Sequence, residues 1–347
     1  MTRRGVQKVH RLVRSKVAEA LKNRFRVLYI DPNDFVSSHG PTRRATLDLV
    51  GDQQALVVDF SGTDSFSATN FRLISLVQEA FEQAETEGRL VLRLAAQLSK
   101  AYLVTLSGAA AAAEPLSPLF QRTVHLVVSG GRELASVVAA LSKFPAGSGI
   151  VLKLGYAACS SCVFVSAKSG AASAASAAAW LAGAATRHGR KVAFLQRVVP
   201  HHVEVRVFLV NGKVRAIVGT TAGKAPQTDR SVTWYGEREL LKRKLVTKAQ
   251  LRFIRDTAIG RVCSELRASP GLEEIEREPW LRFDFFVRTL GAREDPGPTF
   301  GVVFNEFEMG SATLGDSSSR ELVATQLSLI DDLAAVIVAR AETFASS

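Results

Sequence analysis

The sequence predicts an α/β region followed by a longer α+β region. Two observations carry this reading. Before residue 106, short apolar runs alternate with a helical stripe, the pattern of a parallel sheet with crossover helices. Beyond residue 120, strands come in consecutive groups, and Asn211-Gly212 joins two of them with the residues a type I′ hairpin turn requires. A length of 347 residues has room for two or three domains, and a hydrophobic content of 47% is that of a protein with a real core.

The elements follow in order. Residues 1–25 read as a basic amphipathic helix, with Val6, Val9, Val13, Val17 and Leu21 at helical spacing. Between Met1 and Ile30 nine basic residues stand against a lone acid, Glu19. Three readings compete for this helix: an organellar transit peptide, an arm for nucleic acid or a membrane surface, and a solvated basic face on a helix packed beside the first strand. The third is favoured, because the helix runs straight into the core-like strand Arg26–Ile30. Further candidate strands are Ala55–Phe60, Leu90–Leu94 and Tyr102–Leu106, with a helix over Asn70–Glu87. Ser107–Pro118, rich in Ala and Pro, reads as a linker.

The middle third predicts a strand at Thr123–Val128, a helix at Arg132–Ser142, and a strand at Gly149–Leu154. A small-residue loop, Gly155–Ser161, a strand at Cys162–Ser166 and an Ala-rich helix at Ala171–Arg187 follow. Three strands then run from Val192 to Val218. The last third opens with a helix capped by the box Thr247-Lys-Ala-Gln250, striped by Leu251, Ile254, Ala258, Val262 and Leu266, and ended by Ser269-Pro270. Strands at Trp280–Val287 and Thr299–Glu308 pair across a Gly/Pro-rich loop. A final helix opens at the box Ser318-Ser-Arg-Glu321, with the stripe Val323, Leu327, Ile330, Ala334 and Ile337.

Composition narrows the function. A net charge of +11 points to polyanionic partners: nucleotides, nucleic acid or acidic surfaces. No run of 18 strongly apolar residues occurs, so no membrane span is expected. Three cysteines do not make a disulfide framework, which favours a reducing, cytoplasmic setting. Cys159 and Cys162 form a C-x-x-C, but no second pair or nearby His completes a metal site, so they read as small loop residues.

Four clusters could carry chemistry. Lys153 lies in a strand otherwise fit for burial, so it must snorkel or meet an anion. The loop after it can bring backbone N–H groups and the hydroxyls of Ser160 and Ser161 close to phosphate. Phe194–Val199 carries Gln196, Arg197 and Val198, where a strand running into a loop can present backbone groups to a planar base. Glu204 and Arg206 share one face of an apolar strand, where charges are costly unless paired or bound; an exposed ion pair worth little is the alternative. Last, Asp284 shares a face with Arg282, and Glu306 with Glu308, while Asn305 falls opposite. Phenylalanines surround these acids, and such an oxygen-rich set suits Mg²⁺, which takes one or two carboxylates plus water and phosphates. A solvated sheet face is the alternative.

Lysine strand, small-residue loop, helix, strand with Gln, Glu-x-Arg hairpin, long helix, strand with Asp and strand with Glu-x-Glu resemble, in that order, the ATP-grasp superfamily over residues 123–315. The resemblance implies an α/β pre-grasp-like domain at 26–119, a small lobe at 120–230 and a C-terminal lobe at 231–347, the two lobes gripping ATP. It implies that Lys153 contacts phosphate, that Gly155, Ser160 and Ser161 lie in a flap over the phosphates, and that Gln196, Arg197 and Val198 lie along the adenine. Glu204 falls near the ribose or adenine edge, Arg206 near phosphate or substrate, and Lys153 and Arg206 become the catalytic cations. Asp284, Glu306 and Glu308 become ligands of Mg²⁺ or Mn²⁺. Two departures stand out. The family usually closes its metal motif as Glu-x-Asn, where this chain has Glu308; this leaves open whether Glu308 is a ligand or Asn305 substitutes through a bulge. The first ATP-binding lysine, some tens of residues before Lys153 in the family, has no clear counterpart, and Arg122 is the candidate taken for it.

The resemblance implies an ATP- and Mg²⁺-dependent ligase joining a carboxylate to an amine or similar nucleophile through an acyl phosphate, with an unidentified small-molecule or protein substrate. The alternative is an ATP-binding assembly factor of the initiation-factor chaperone kind, whose strand resembles Glu204-Val-Arg-Val-Phe-Leu-Val-Asn-Gly-Lys but whose closing Asp-x-Asn differs from Glu306-Phe-Glu308. Nucleic-acid binding through the basic N-terminus is a third, less favoured reading.

Overall fold

The computed structural model describes residues 3–25, 56–58, 92–94, 100, 102–112, 119–128, 131–155, 163–188, 192–222, 232–273, 275–288, 297, 299–309, 314 and 319–346. The strand expected at Arg26–Ile30, the helix at Asn70–Glu87 and the loop residues Ser160 and Ser161 lie outside them. The chain divides into two compact units, residues 1–97 with 309–347, and residues 98–308.

In the first unit, β1 (Leu56–Val58) and β2 (Leu92–Leu94) pair in parallel, Leu56 opposite Leu92, as alternating strands and helices imply. Helix α1 (Arg3–Leu21) buries Val13, Val17 and Leu21. It packs along α8 (Arg320–Ser346), where Lys16 reaches Asp331 at 2.7 Å and Arg24 reaches Glu342 at 3.1 Å. Part of the basic excess is therefore matched by acids on α8, while the strand beside which this helix was expected to pack lies outside the described residues. Helix α8 is long and apolar enough to cross a membrane by length and composition. Its cap is Ser319, whose Oγ accepts from the Leu322 N–H at 3.1 Å, one residue later than the Ser318 box predicts. The expected stripe holds at Ile330, Ala334 and Ile337, whereas Val323 and Leu327 are exposed and Leu322, Leu329 and Leu333 are covered.

The second unit holds two sheets. The four-stranded sheet runs in the order β3 (Thr123–Val127), β6 (Val192–Arg197), β4 (Ile150–Leu154), β5 (Val163–Ser166), with antiparallel neighbours. Helices α3 (Glu133–Leu141) and α4 (Ala171–His188) pack against each other beside it. The five-stranded sheet runs β11 (Val302–Met309), β10 (Trp280–Val287), β7 (Val203–Val210), β8 (Lys213–Ala222), β9 (Val232–Gly236). The β7–β8 hairpin turns on Asn211 and Gly212 with φ of 50° and 73°, both positive as a type I′ turn demands. Odd positions of β7 and β10 (Val203, Val205, Val207, Phe283, Phe285) are fully buried, so the alternate positions form a separate face that carries Glu204, Arg206, Arg282 and Asp284.

Tyr102–Leu106 is not a strand. Tyr102–Ala112 forms helix α2, which also takes up part of the expected linker. The residues beyond Leu106 are Gly108 and a run of alanines, and alanine propensity extends a helix where the apolar run alone is ambiguous. The helix after Thr247 forms with both capping-box bonds present, as α6 (Lys248–Phe253) and α7 (Ile259–Ala268) joined by a π-helical turn at Ile254–Ala258.

Candidate functional site

The two sheets of the 98–308 unit meet at a buried set of alternating charges. The floor is the polar face of the five-stranded sheet. Register sets Asp284 opposite Arg206 and Phe286 opposite Glu204. Arg206 donates to Glu204 Oε2 at 2.8 Å, stands 3.8 Å from Asp284 Oδ2, and lies over the Trp234 ring at 4.9 Å. Arg282 holds Asp284 with two bonds of 2.8 Å, and its Nη2 reaches Glu308 Oε2 at 2.8 Å. Paired donors of this kind are the strong geometry for a guanidinium and a carboxylate. The Glu204/Arg206 pair is thus part of a sheltered network and not an isolated surface pair.

Two lysines reach in. Lys153, from β4, donates to Asn305 Oδ1 at 3.3 Å and stands 4.0 Å from Glu306. Lys100, just before α2, lies 2.7 Å from Glu306 and 3.6 Å from Glu308. Asn305 closes the circuit by donating to Glu204 Oε1 at 2.9 Å. Four cations (Lys100, Lys153, Arg206, Arg282) therefore face four carboxylates (Glu204, Asp284, Glu306, Glu308), a balance that lets the charges stay buried.

Protonation follows from burial and partners. Burial would raise the Glu204 carboxyl, but Arg206 draws it down to about 2. Burial works the same way on Glu308, and Arg282 and Lys100 overcome it, leaving the group below its ordinary value. Asp284 is fully enclosed, and burial pushes it up to about 7 against the pull of Arg282 and Arg206. Burial penalises the Lys100 ammonium, yet Glu306 and Glu308 more than compensate and raise it. Lys153 goes the other way: burial lowers it, Glu306 recovers part of the loss, and Lys100 adds to it.

Of the residues singled out in the sequence, Lys153, Glu204, Arg206, Asp284, Glu306 and Glu308 come together here. Gly155 sits just after β4, its carbonyl accepting from the Lys100 N–H at 2.5 Å. Gln196 is buried in the four-stranded sheet, where its amide donates to Thr123 Oγ1 at 2.9 Å. Arg197 is exposed at the end of β6, and the Val198 N–H bonds to the Gly149 carbonyl. Arg122 lies elsewhere, exposed and bonded to the Lys143 carbonyl.

Two members of the network were not among the expected site residues: Lys100 and Arg282. Lys100 has the burial and acidic partners that Arg122 lacks; its signal was a lysine beside an apolar run read as a strand. Arg282 was visible as the neighbour of Asp284 on one face. Strict alternation turns Asn305 away from Glu306, and the alternative left open, a bulge that brings it round, is the one the contacts favour. The regular pleat breaks in β11. Phe304 packs edge-on to Phe283 and Phe285, on the buried face, whereas Glu308 meets Arg282 on the polar face. Residues four apart would share a face in an unbroken strand. The amides of Phe304 and Phe307, three apart, also both bond away from the sheet, to the Leu119 carbonyl and the Tyr102 hydroxyl. An extra residue near Asn305–Glu306, the geometry of a β-bulge, accounts for both and lets Asn305 and Glu306 reach Lys153 together.

The donor set bears on a metal. Among the described residues no three His, Cys, Asp or Glu side chains gather as a metal cluster. The acids present fit Mg²⁺ in the mode that uses one or two carboxylates and takes its other ligands from substrate phosphates and water.

No family model and no curated protein sequence matches the chain. Among solved structures it is similar to a D-cycloserine synthetase, with a TM-score of 0.53 and 13% identity over 93% of this chain and 94% of that one. It is also similar to a D-alanine–D-alanine ligase from Bacillus anthracis (TM-score 0.47, 10% identity, 97% of this chain and 94% of that one). A third is a carboxyaminoimidazole ribonucleotide synthase from Asperigillus clavatus complexed with ATP (TM-score 0.49, 12% identity, 86% and 67%). At 13% identity the likeness to the synthetase is one of fold alone, and the fold of this chain is that of the ATP-grasp ligases.

Proposed function

We propose that this chain is an ATP- and Mg²⁺-dependent ligase, which activates a carboxylate as an acyl phosphate and passes the acyl group to an amine or similar nucleophile. The observation that carries the proposal is the spare capacity of two cations in an otherwise closed network. Lys153 has three donors but holds an amide at 3.3 Å and a carboxylate at the 4.0 Å limit. Arg206 keeps its buried Nε without a hydrogen-bond partner. Buried donors are normally satisfied, so these two fit a polyanion that arrives between the sheets.

Phosphoryl transfer asks the protein mainly to position groups and neutralise charge. Lys153 and Arg206 would hold the transferring phosphoryl oxygens, and Lys100 would keep Glu306 and Glu308 from repelling them. One or two of Asp284, Glu306 and Glu308 would hold Mg²⁺, whose chemistry is to offset phosphate charge during transfer. Arg282 would aim Asp284 and Glu308 and hold Glu308 ionised.

Calorimetry of Mg²⁺-ATP binding tests the assignment. Asp284→Asn and Glu306→Gln should each weaken binding at least about tenfold, the loss of roughly 1.4 kcal/mol. Unchanged affinity in both would overturn the site. ADP release measured against a panel of carboxylates and amines should require one of each. Tight ATP binding with no turnover, together with one stoichiometric protein partner, would replace the ligase by an assembly factor.

A further inference from the structure

We propose that Tyr102 is a positioning residue for the acid pair Glu306/Glu308, clamping the strand between them so that both carboxylates are presented to the metal–nucleotide complex. The proposal rests on the ATP-binding reading above and assigns a role to a residue outside the charged network.

Among the described residues strand β11 is the edge of its sheet, so alternate residues turn an N–H and a C=O away from β10 with no neighbouring described strand to meet them. Phe307 is such a residue, and it stands between Glu306 and Glu308. A tyrosine hydroxyl has one hydrogen to donate and lone pairs to accept. Tyr102 uses both on this one residue: it donates to the Phe307 carbonyl at 3.0 Å and accepts from the Phe307 N–H at 2.7 Å. Its ring stacks on the Phe307 ring at 4.0 Å between centroids. One buried side chain thus replaces a missing strand at a single position and immobilises the peptide groups flanking both acids.

The position is informative because the strand is irregular just before it. A bulge leaves residues unpaired and the local pleat soft. Phe304 is fixed on one side by the Leu119 carbonyl at 2.7 Å, and Phe307 is fixed on the other by Tyr102. Asn305 and Glu306 hang between these two anchors. The same short segment also supplies Lys100, whose side chain meets Glu306 and whose N–H meets the Gly155 carbonyl at the start of the small-residue loop. Lys100 and Tyr102 therefore tie the end of β4 to the acid strand.

Tyr102→Phe removes the hydroxyl and keeps the ring. Two measurements on the full chain follow. Hydrogen exchange at the Phe307 amide should accelerate at least about tenfold, and nucleotide affinity by calorimetry should fall several-fold for Mg²⁺-ATP while metal-free ADP binds as in the parent. A tyrosine that serves stability alone would lower the melting temperature and weaken both ligands equally, and that equal loss would overturn the proposal. Unchanged Phe307 exchange would overturn it as well. If the parent protein binds neither ligand, the ATP-binding reading fails, while the Phe307 exchange result still reports on the clamp.

Discussion

Glu204 shows how a single carboxylate sets an acid limit. Its ordinary value of 4.5 falls to about 2 in the folded chain because Arg206 outweighs burial. A depressed carboxylate contributes stability that is fully present above its unfolded value and is lost as pH falls through the folded one. For Glu204 that window runs from 4.5 down to about 2. Asp284 acts with the opposite sign, since burial raises it from 3.8 to about 7; what it contributes is full below 3.8 and declines as pH rises through 7. Glu204→Gln should therefore lower the melting temperature at neutral pH and flatten its fall between pH 4.5 and 2, relative to the parent. Melting curves across pH check this, and an acid limb of unchanged slope would show that Arg206 does not hold Glu204 ionised. The residue scale also shows what a sequence can hide. Glu204 and Arg206 were legible because charges on an apolar strand demand an explanation. Lys100 was not, because its partners lie some two hundred residues away in sequence and nothing local marks it.

At the scale of elements, local chemistry was the readable part. Asn211-Gly212 specified its hairpin, and Thr247-Lys-Ala-Gln250 formed both bonds of a capping box. Where residues compete through tertiary contacts, the reading failed. The apolar run after Lys100 fits either a strand or a helix by pattern, and packing decides. Alternation along β11 left a bulge at Asn305 as one of two alternatives and could not decide between them, because period-2 reasoning assumes an unbroken pleat. Gln250 shows the same limit from the other side: it was expected to cap α6, and it also does more. Its amide donates to the carbonyls of Arg288 and Phe300 at 3.0 Å each, holding together the ends of the β10–β11 connection. Thr247→Ala should cost about 1 kcal/mol, the usual value of an N-cap. Gln250→Leu should cost more, roughly 2–4 kcal/mol, because it loses the cap and strands two part-buried carbonyls. Urea denaturation of the two variants ranks them, and equal costs would mean that Gln250 serves as a cap alone.

At the scale of the whole molecule, the charged network makes a prediction about how ligands cooperate. Every carboxylate in it already has a cation, so a bare metal ion would have to displace a guanidinium or ammonium to bind. Nucleotide without metal would bring phosphate charge next to Glu204, Asp284, Glu306 and Glu308, with Lys153 and Arg206 alone holding spare donors. Metal and nucleotide together cancel much of each other's charge, so each should bind more tightly with the other present, by the reciprocity that linkage requires. Mg²⁺ alone should leave the melting temperature unchanged, ATP alone should raise it slightly, and Mg²⁺-ATP should raise it by more than their sum. At a concentration about a hundred times the dissociation constant, the stabilisation would be about 2.7 kcal/mol. Hydrogen exchange should then show protection at β4, β7, β10 and β11, the strands that supply Lys153, Glu204, Asp284 and Glu306. Additive effects of metal and nucleotide would mean that the two occupy separate places, and that the acids of β10 and β11 hold cations of the protein and no others.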